Sequence, residues 1–184
     1  FSLCASAVYL ANDLLDLDSD RQHPRKKFRP FASGQLSVVA GVLLAPLFLI
    51  ASLCLGMQIP GQFLGWLIFY FGLTCAYSLL LKRVVLIDCL TLAVLYTVRL
   101  IAGASAASMS LSFWLLAFAV FLFLSLAFVK RYAELEIQLL SGKEKTHGRG
   151  YFTSDASLVQ TLGVTAGFSA VLVLALYLNS EAVV

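Results

Sequence analysis

Six apolar segments, separated by short polar connections, dominate the sequence and restrict the folds that it can adopt. They cover residues 1–17, 36–57, 63–81, 87–107, 111–132 and 158–179. A helix needs about 20 apolar residues to cross the hydrocarbon core of a bilayer, and most of these segments reach or approach that length. An open strand cannot cross lipid because its backbone groups stay unpaired. We therefore predict an all-α, polytopic transmembrane helix bundle.

The composition excludes a water-soluble globular domain. The chain is 60% hydrophobic and 12% charged, whereas soluble domains carry about 25% charged residues. The basic residues lie beside carboxylates and apolar spans and not on a separate polar face, so nucleic acid is not an expected partner. All four cysteines fall in or at the ends of apolar segments, where small packing side chains are expected.

The distribution of positive charge predicts how the chain is oriented. Of the 13 Lys and Arg residues, all except Arg99 lie in or beside the connections 18–35, 82–86 and 133–157. Six alternating spans would put these connections on one side, and the positive-inside rule makes that side cytoplasmic. We expect one domain over residues 1–184 in the cell (inner or plasma) membrane. We also expect it to be a fragment truncated at both ends, because residue 1 falls inside an apolar run and the chain stops soon after another.

The first charged connection carries aspartates at helical spacing. Asp13, Asp16 and Asp20 occupy positions i, i+3 and i+7, and Asn12 lies four residues before Asp16. On one helix this spacing places the carboxylates on a single face. Carboxylates aligned beside a membrane are costly, and a bound divalent cation removes that cost. Because Mg²⁺ accepts one or two carboxylates together with substrate phosphates, the sequence predicts a magnesium–diphosphate site.

Simpler explanations of these acids are a solvated helix end and a calcium-binding loop. The acids begin within the apolar segment, with Leu14, Leu15 and Leu17 on the other face, which favours a site over a solvated end. An EF-hand loop would need Gly and Glu where this chain has Arg21 and Lys27, so that loop is excluded.

A dense basic run follows the aspartates directly. Such a run can orient a span by binding anionic lipid head groups, and it can also capture a phosphorylated substrate, since Arg binds phosphate bidentately and Lys provides a point charge. Its position next to the carboxylates favours anion capture, and both roles are compatible. The run consists of Arg21, Arg25, Lys26, Lys27 and Arg29.

A second polar group surrounds the start of the fourth segment. Lys82 and Arg83 end the third segment, and Asp88 begins the fourth. Arg99 follows Asp88 after almost an integral number of helical turns, so the two share a helix face about three turns apart. A guanidinium within a span needs an anion or a polar cavity. Arg99 could therefore line the substrate pocket or form a structural ion pair.

Further charges lie near the last two segments. The fifth segment ends with Lys130, Arg131 and Glu134. Arg149 precedes the last segment and could reach an anion. The simpler role for the stretch 148–155 is to cap the last helix through Ser154 or Asp155. The two histidines, His23 and His147, lack metal-ligand spacing and receive no catalytic role.

These motifs resemble those of the UbiA-type membrane prenyltransferase superfamily. The pattern N-D-x-x-D-x-x-x-D at 12–20, followed by R-P-x-A-S-G at 29–34, is similar to its first signature, and Y-S-x-x-L-K-R at 77–83 with Asp88 is similar to the start of its second. Leu92 lies where the second signature usually repeats an acid, which argues against a second carboxylate-bound magnesium. The stretches at 20–30 and 130–135 and the Asp88–Arg99 pair are more similar to the decaprenyl-phosphate phosphoribosyltransferase branch.

The resemblance implies a family fold of about nine spans, of which six would be present. It also implies Mg²⁺-dependent transfer of phosphoribose from phosphoribosyl diphosphate to a polyprenyl phosphate. The metal ligands would be Asp13, Asp16 and Asp20, which would act in catalysis with Lys82 and Arg99. The substrate would be bound by Asn12, Arg21, Lys26, Lys27, Arg29, Tyr77, Arg83, Asp88, Lys130 and Arg131.

Other functions remain open at this level. A prenyltransferase that moves an isoprenoid onto an aromatic or quinone-precursor acceptor would use similar carboxylates, although Leu92 and the basic run argue mildly against it. A transporter would be expected to scatter its acids at mid-span between broken helices, whereas these cluster at one membrane face. A non-catalytic lipid-binding subunit would keep the basic loop without needing aligned acids.

Overall fold

A computed structural model describes residues 1–22, 26–140, 142 and 149–179. The regular elements in these ranges are α-helices joined by loops and short 3₁₀ turns. The predicted all-α class is therefore confirmed. The helices are α1 (Ser2–Leu15), α2 (Leu17–Gln22), α3 (Val38–Met57), α4 (Phe63–Leu79), α5 (Ile87–Ala106), α6 (Phe113–Leu140) and α7 (Ala156–Leu178).

Each predicted apolar segment coincides over most of its length with one of the longer helices, but the helices differ in length. Four helical stretches in the described residues are long and apolar enough to cross a membrane, and they correspond to α3, α5, α6 and α7. With 14 and 17 residues, α1 and α4 are shorter. At about 1.5 Å per residue, both are shorter than the roughly 30 Å of a hydrocarbon core. The short α2 lies in the charged connection.

The fifth predicted segment was placed at 111–132, but α6 continues to Leu140. The extension is held by packing, because Leu135 is fully buried. Arg131 also pairs with Glu134 one turn later. The charged end of the fifth segment is thus helical, so the positions of its side chains around α6 follow the helical repeat.

The chain forms two compact units, Phe1–Cys75 and Ala76–Val184. The prediction of one domain stays a prediction.

In the first unit, α1 packs against α3, and the loop between α2 and α3 is anchored by one buried aromatic ring. Phe31 is 3% exposed and lies against Gly41 of α3. A Cβ atom on Gly41 would lie 2.7 Å from the Phe31 ring and 3.1 Å from Leu14 of α1. The glycine therefore provides the space that fixes this loop on the helices.

In the second unit, α6 packs on both α5 and α7. Small residues allow α6 and α7 to approach closely, as in other membrane helix pairs. A Cβ atom on Gly163 would lie 3.1 Å from Phe128, and the Ser125 hydroxyl donates a hydrogen bond of 2.8 Å to the Gly163 carbonyl. Large apolar side chains on the outer faces, such as Phe168 and Leu172, are exposed, as is expected for lipid-facing positions.

We predict that Gly41→Ala destabilises the protein. The added methyl group meets the buried Phe31 ring, and overpacking of this kind costs about 1–3 kcal/mol. Thermal unfolding in detergent, followed by circular dichroism, measures the change. Gly65→Ala is the matched control, because nothing lies within 4 Å of its Cβ position and alanine is the better helix former. Equal stability of the two variants would contradict the prediction.

Candidate functional site

Two clusters of charged side chains, one in each unit, bring together six of the predicted site residues. The first, which we call the Asp20 cluster, consists of Asp13, Asp20, Lys26 and Arg29. The Arg29 guanidinium donates from the same Nη1 atom to Asp13 Oδ1 and to Asp20 Oδ2, each at 2.8 Å. Lys26 Nζ lies 3.6 Å from the other Asp20 oxygen. Two carboxylates thus converge on one cationic position.

The helix that carries the aspartates is interrupted at Asp16, which ends α1 with φ −91° and ψ 6°. The interruption is slight, because Asp16 N–H still donates to the Asn12 carbonyl at 2.9 Å and Asp20 N–H to the Asp16 carbonyl at 2.8 Å. Asp13 and Asp20 therefore keep the shared side that the spacing predicted. Asp16 is half-buried at the joint between the two helices.

The Asp20 cluster has the chemistry of a cation site with two carboxylate ligands. No group of three or more His, Cys, Asp or Glu side chains suited to a metal occurs in the described ranges. Mg²⁺, however, commonly takes one or two carboxylates and completes its shell with water and substrate phosphates. Asp20 is 1% exposed, and its Oδ1 atom has no hydrogen-bond partner among the described residues. Asp13 and Asp20 therefore have the oxygen donors that could hold a magnesium ion, which would supply positive charge beside a bound phosphate.

The remaining predicted residues of this region lie around the cluster. Asn12 is half-buried and one helical turn before Asp16, whereas Arg21 and Lys27 are exposed. Lys27 Nζ lies 5.2 Å from the centroid of the Phe28 ring. His23 and Arg25 lie outside the described residues, as does His147.

The second group, the Asp88 cluster, consists of Asp88, Arg131, Glu134, Arg149 and Tyr151. Asp88 lies in the first turn of α5, Arg131 and Glu134 belong to α6, and the other two precede α7. Arg131 Nη2 lies 2.8 Å from Asp88 Oδ2, and its Nη1 pairs with Glu134. Arg149 reaches Asp88 Oδ2 at 3.2 Å and Glu134 Oε2 at 3.6 Å. The cluster joins three parts of the second unit.

The Asp88 carboxylate is saturated with hydrogen-bond donors. Its Oδ1 atom accepts from the Tyr151 hydroxyl at 2.5 Å and from the Cys89 N–H at 2.7 Å, and its Oδ2 atom faces both arginines. A carboxylate has about four acceptor positions, and Asp88 is 0% exposed. Asp88 and the 1% exposed Arg131, both predicted to bind substrate, are thus enclosed by protein groups in this structure.

Tyr151 fixes the turn between α4 and α5. Its hydroxyl accepts a 2.8 Å hydrogen bond from the N–H of Leu86, which adopts the left-handed conformation with φ 66°. Such a conformation is unfavourable for leucine and needs support from its surroundings. Burial and the hydrogen bond to Asp88 raise the pKa of the Tyr151 hydroxyl, so it stays protonated and donates to the carboxylate. The neighbouring residue, Gly150, also packs tightly against this turn. A Cβ atom on Gly150 would overlap the Arg83 carbonyl oxygen.

The other predicted residues of the second unit have different surroundings. Arg99 lies over the Tyr96 ring at 5.5 Å and is half-buried. About three helical turns separate it from Asp88, and the prediction that it lines a substrate pocket stays a prediction. Lys82 is half-buried in a 3₁₀ turn, and Arg83 and Lys130 are exposed. The Tyr77 hydroxyl lies 3.4 Å from Arg149 Nη1.

Sequence reasoning missed Arg149 and Tyr151 as partners of Asp88, and Glu134 as a partner of the two arginines. The i, i+3 spacing of Arg131 and Glu134 is a signal for their pairing. No comparable signal exists for Arg149 and Tyr151, which are 61 and 63 residues from Asp88.

The sequence matches the UbiA prenyltransferase family over residues 1–183, which confirms the resemblance that the motifs indicated. Nodulation protein NoeC of Azorhizobium caulinodans is 35% identical over 183 residues, which cover 100% of this chain and 60% of that protein. Decaprenyl-phosphate phosphoribosyltransferase of Mycolicibacterium smegmatis is 35% identical over 167 residues, 90% of this chain and 52% of that protein.

Uncharacterized protein y4nM of Sinorhizobium fredii is 35% identical over 181 residues, 98% of this chain and 35% of that protein. The chain thus spans less than two thirds of the length of each of these relatives, from 35% to 60%.

We predict that Arg131→Met lowers the free energy of unfolding by about 3–5 kcal/mol, because it removes the closest cation from a buried carboxylate. Adding Asp88→Asn should recover part of that loss, since the uncompensated charge is then removed as well. Chemical denaturation in mild detergent measures both variants. Lys130→Met, at the exposed neighbouring position of α6, should change stability by less than about 0.5 kcal/mol. Similar small losses in Arg131→Met and Lys130→Met would show that the pair is unimportant for stability.

Proposed function

Because the chain belongs to the UbiA prenyltransferase family, we propose that it forms part of a Mg²⁺-dependent membrane transferase that moves phosphoribose from phosphoribosyl diphosphate to a polyprenyl phosphate. The observation that carries this proposal is the convergence of Asp13 and Asp20 on one cationic position. The substrates are suggested by the names of relatives that are 34% to 35% identical to this chain, the decaprenyl-phosphate phosphoribosyltransferases.

The Asp20 cluster would bind the diphosphate of the donor. Bound Mg²⁺ would supply positive charge that stabilises the departing diphosphate. Asp13 and Asp20 would hold the ion, with Asp16 at the helix joint as the third predicted ligand. Arg29, which now bridges the carboxylates, would then be available to donate to phosphate oxygens, for which a guanidinium is well suited.

The basic residues of the second unit would bind phosphate groups of donor or acceptor. Lys82 and Arg83 lie in the turn after α4, and Arg99 lies within α5. Transfer breaks the bond between the anomeric carbon and the diphosphate oxygen, and the acceptor phosphate oxygen forms the new bond to that carbon. That oxygen is already anionic, so no protein side chain has to remove a proton from it.

The membrane setting is consistent with a lipid acceptor. The chain is an integral membrane protein, as its apolar helices and its family indicate. We propose that the charged connections face the cytoplasm at the cell membrane, which follows from the bias of Lys and Arg toward those connections. A water-soluble donor would then reach the carboxylates from the cytoplasm, and a polyprenyl tail would stay in the bilayer.

A prenyltransferase acting on an aromatic or quinone-precursor acceptor is the second candidate, favoured by the family description. In that reaction the diphosphate belongs to the isoprenoid. The two reactions are distinguished by incubating membranes that contain the protein with Mg²⁺ and either pair of labelled substrates. We expect labelled lipid from phosphoribosyl diphosphate with polyprenyl phosphate, and none from prenyl diphosphate with an aromatic acid. The reverse result would replace our proposal by the second candidate.

We predict that Asp13→Asn and Asp20→Asn each lower the phosphoribosyl transfer rate on the order of 10²-fold, the usual scale for losing electrostatic stabilisation of a transition state. Initial rates are measured across a range of Mg²⁺ concentrations, and the half-saturating concentration should rise in both variants. Asp18→Asn is the matched control, because Asp18 is exposed on α2 between the cluster residues. Unchanged turnover in Asp13→Asn and Asp20→Asn would remove the metal assignment.

A further inference from the structure

Arg149 differs from the central ion pair of the Asp88 cluster because its side chain is partly accessible to solvent. The side chain of Arg149 is 23% exposed, whereas those of Arg131 and Asp88 are 1% and 0% exposed. The cluster therefore has an inner ion pair and an outer guanidinium.

The contacts of Arg149 are longer than those of the inner pair. Arg131 lies 2.8 Å from Asp88, but Arg149 lies 3.2 Å from the same oxygen, 3.4 Å from the Tyr77 hydroxyl and 3.6 Å from Glu134. Charge-assisted hydrogen bonds are typically about 2.7–2.9 Å long. Arg149 is thus oriented by its neighbours without being bound as tightly as Arg131.

The backbone next to Arg149 packs against a turn that carries two basic residues. Gly150 lies directly against the Arg83 carbonyl oxygen, so the backbone that carries Arg149 contacts the turn that carries Lys82 and Arg83. Tyr151 holds the same turn through the Leu86 N–H. The contacts of Gly150 and Tyr151 therefore fix the backbone of Arg149 beside the turn that carries Lys82 and Arg83.

The geometry points to Arg149 as a residue that binds a phosphate oxyanion of a substrate, and to Asp88 as the positioning residue that orients it. Asp88 acts through Arg149 and not as a magnesium ligand, since protein donors already surround both of its oxygens. This inference rests on the proposed function for the identity of the substrate, but phosphate binding itself can be tested separately. An arginine suits this role because its planar fork binds phosphate bidentately.

The phosphate could belong to the donor diphosphate or to the lipid acceptor. Binding of radiolabelled pyrophosphate with Mg²⁺ to the purified protein in detergent tests the first source. The Michaelis constant for polyprenyl phosphate at saturating donor tests the second. A loss in either measurement identifies which phosphate Arg149 contacts.

We predict that Arg149→Gln weakens one of these two quantities by about 10- to 100-fold, the scale of a lost charge-assisted hydrogen bond. Arg149→Lys should give an intermediate loss, because it keeps the charge without the fork. Ser154→Ala, at an exposed position of the same segment, is the control and should resemble the wild type. Wild-type values in Arg149→Gln for both pyrophosphate and acceptor would overturn the assignment.

A double-variant cycle tests the positioning role of Asp88. Asp88→Asn should reduce the same quantity as Arg149→Gln, and the combined variant should be no worse than Arg149→Gln alone, because Asp88 acts through Arg149. Additive losses would show that Asp88 acts separately and would overturn the positioning role. If Asp88→Asn does not fold, Tyr151→Phe replaces it, since it removes one hydroxyl from the same carboxylate, and the same criterion applies.

The outcomes separate this inference from the proposed function. If the wild-type protein transfers no phosphoribose but Arg149→Gln loses pyrophosphate binding, the anion site stands and the proposed function is wrong. Normal binding and normal Michaelis constants in Arg149→Gln, in a protein that does transfer phosphoribose, would retain the function and reject the inference.

Discussion

The buried ion pair between Asp88 and Arg131 is the interaction on which much of the second unit depends. Both side chains are almost completely enclosed, with exposures of 0% and 1%, and a single buried charge without a partner would be strongly destabilising. Each partner therefore requires the other, although they lie on different helices. The pair thereby fixes the register of α5 against α6, and it presents Asp88 to the arginine and tyrosine that precede α7.

Two glycines allow the charged loops to pack closely against their neighbours. Gly41 gives space to the Phe31 ring, which anchors the loop that carries Arg29. Gly150 allows the segment with Arg149 to touch the turn that carries Arg83. In both cases the missing Cβ gives space to a segment that carries an arginine, and ion pairs then hold the guanidinium. Packing and electrostatics are therefore linked in each unit, since the loops hold the arginines and the arginines neutralise the acids.

The two clusters differ in how strongly their acids are satisfied, and this difference suggests different chemistry. In the Asp20 cluster one guanidinium bridges two carboxylates, and a buried Asp20 oxygen has no hydrogen-bond partner in the described part of the chain. In the Asp88 cluster the central carboxylate faces four donors. An acid with spare acceptor capacity is suited to bind a cation, whereas a saturated acid is suited to orient its neighbours.

Local pattern alone predicted the helical membrane class and the approximate position of each apolar segment, because length, hydropathy and the helical repeat are properties of nearby residues. It also placed Asp13, Asp16 and Asp20 on one helix face, and in the structure Asp13 and Asp20 meet at Arg29. It did not predict that α6 continues to Leu140, that the helix is interrupted at Asp16, or that Arg149 and Tyr151 join Asp88. The partners of Asp88 come from residues far along the chain, and helix packing brings them together. Which buried charge meets which counter-charge is thus a property of the folded chain, since pairing energy depends on distance in space and not on separation in sequence.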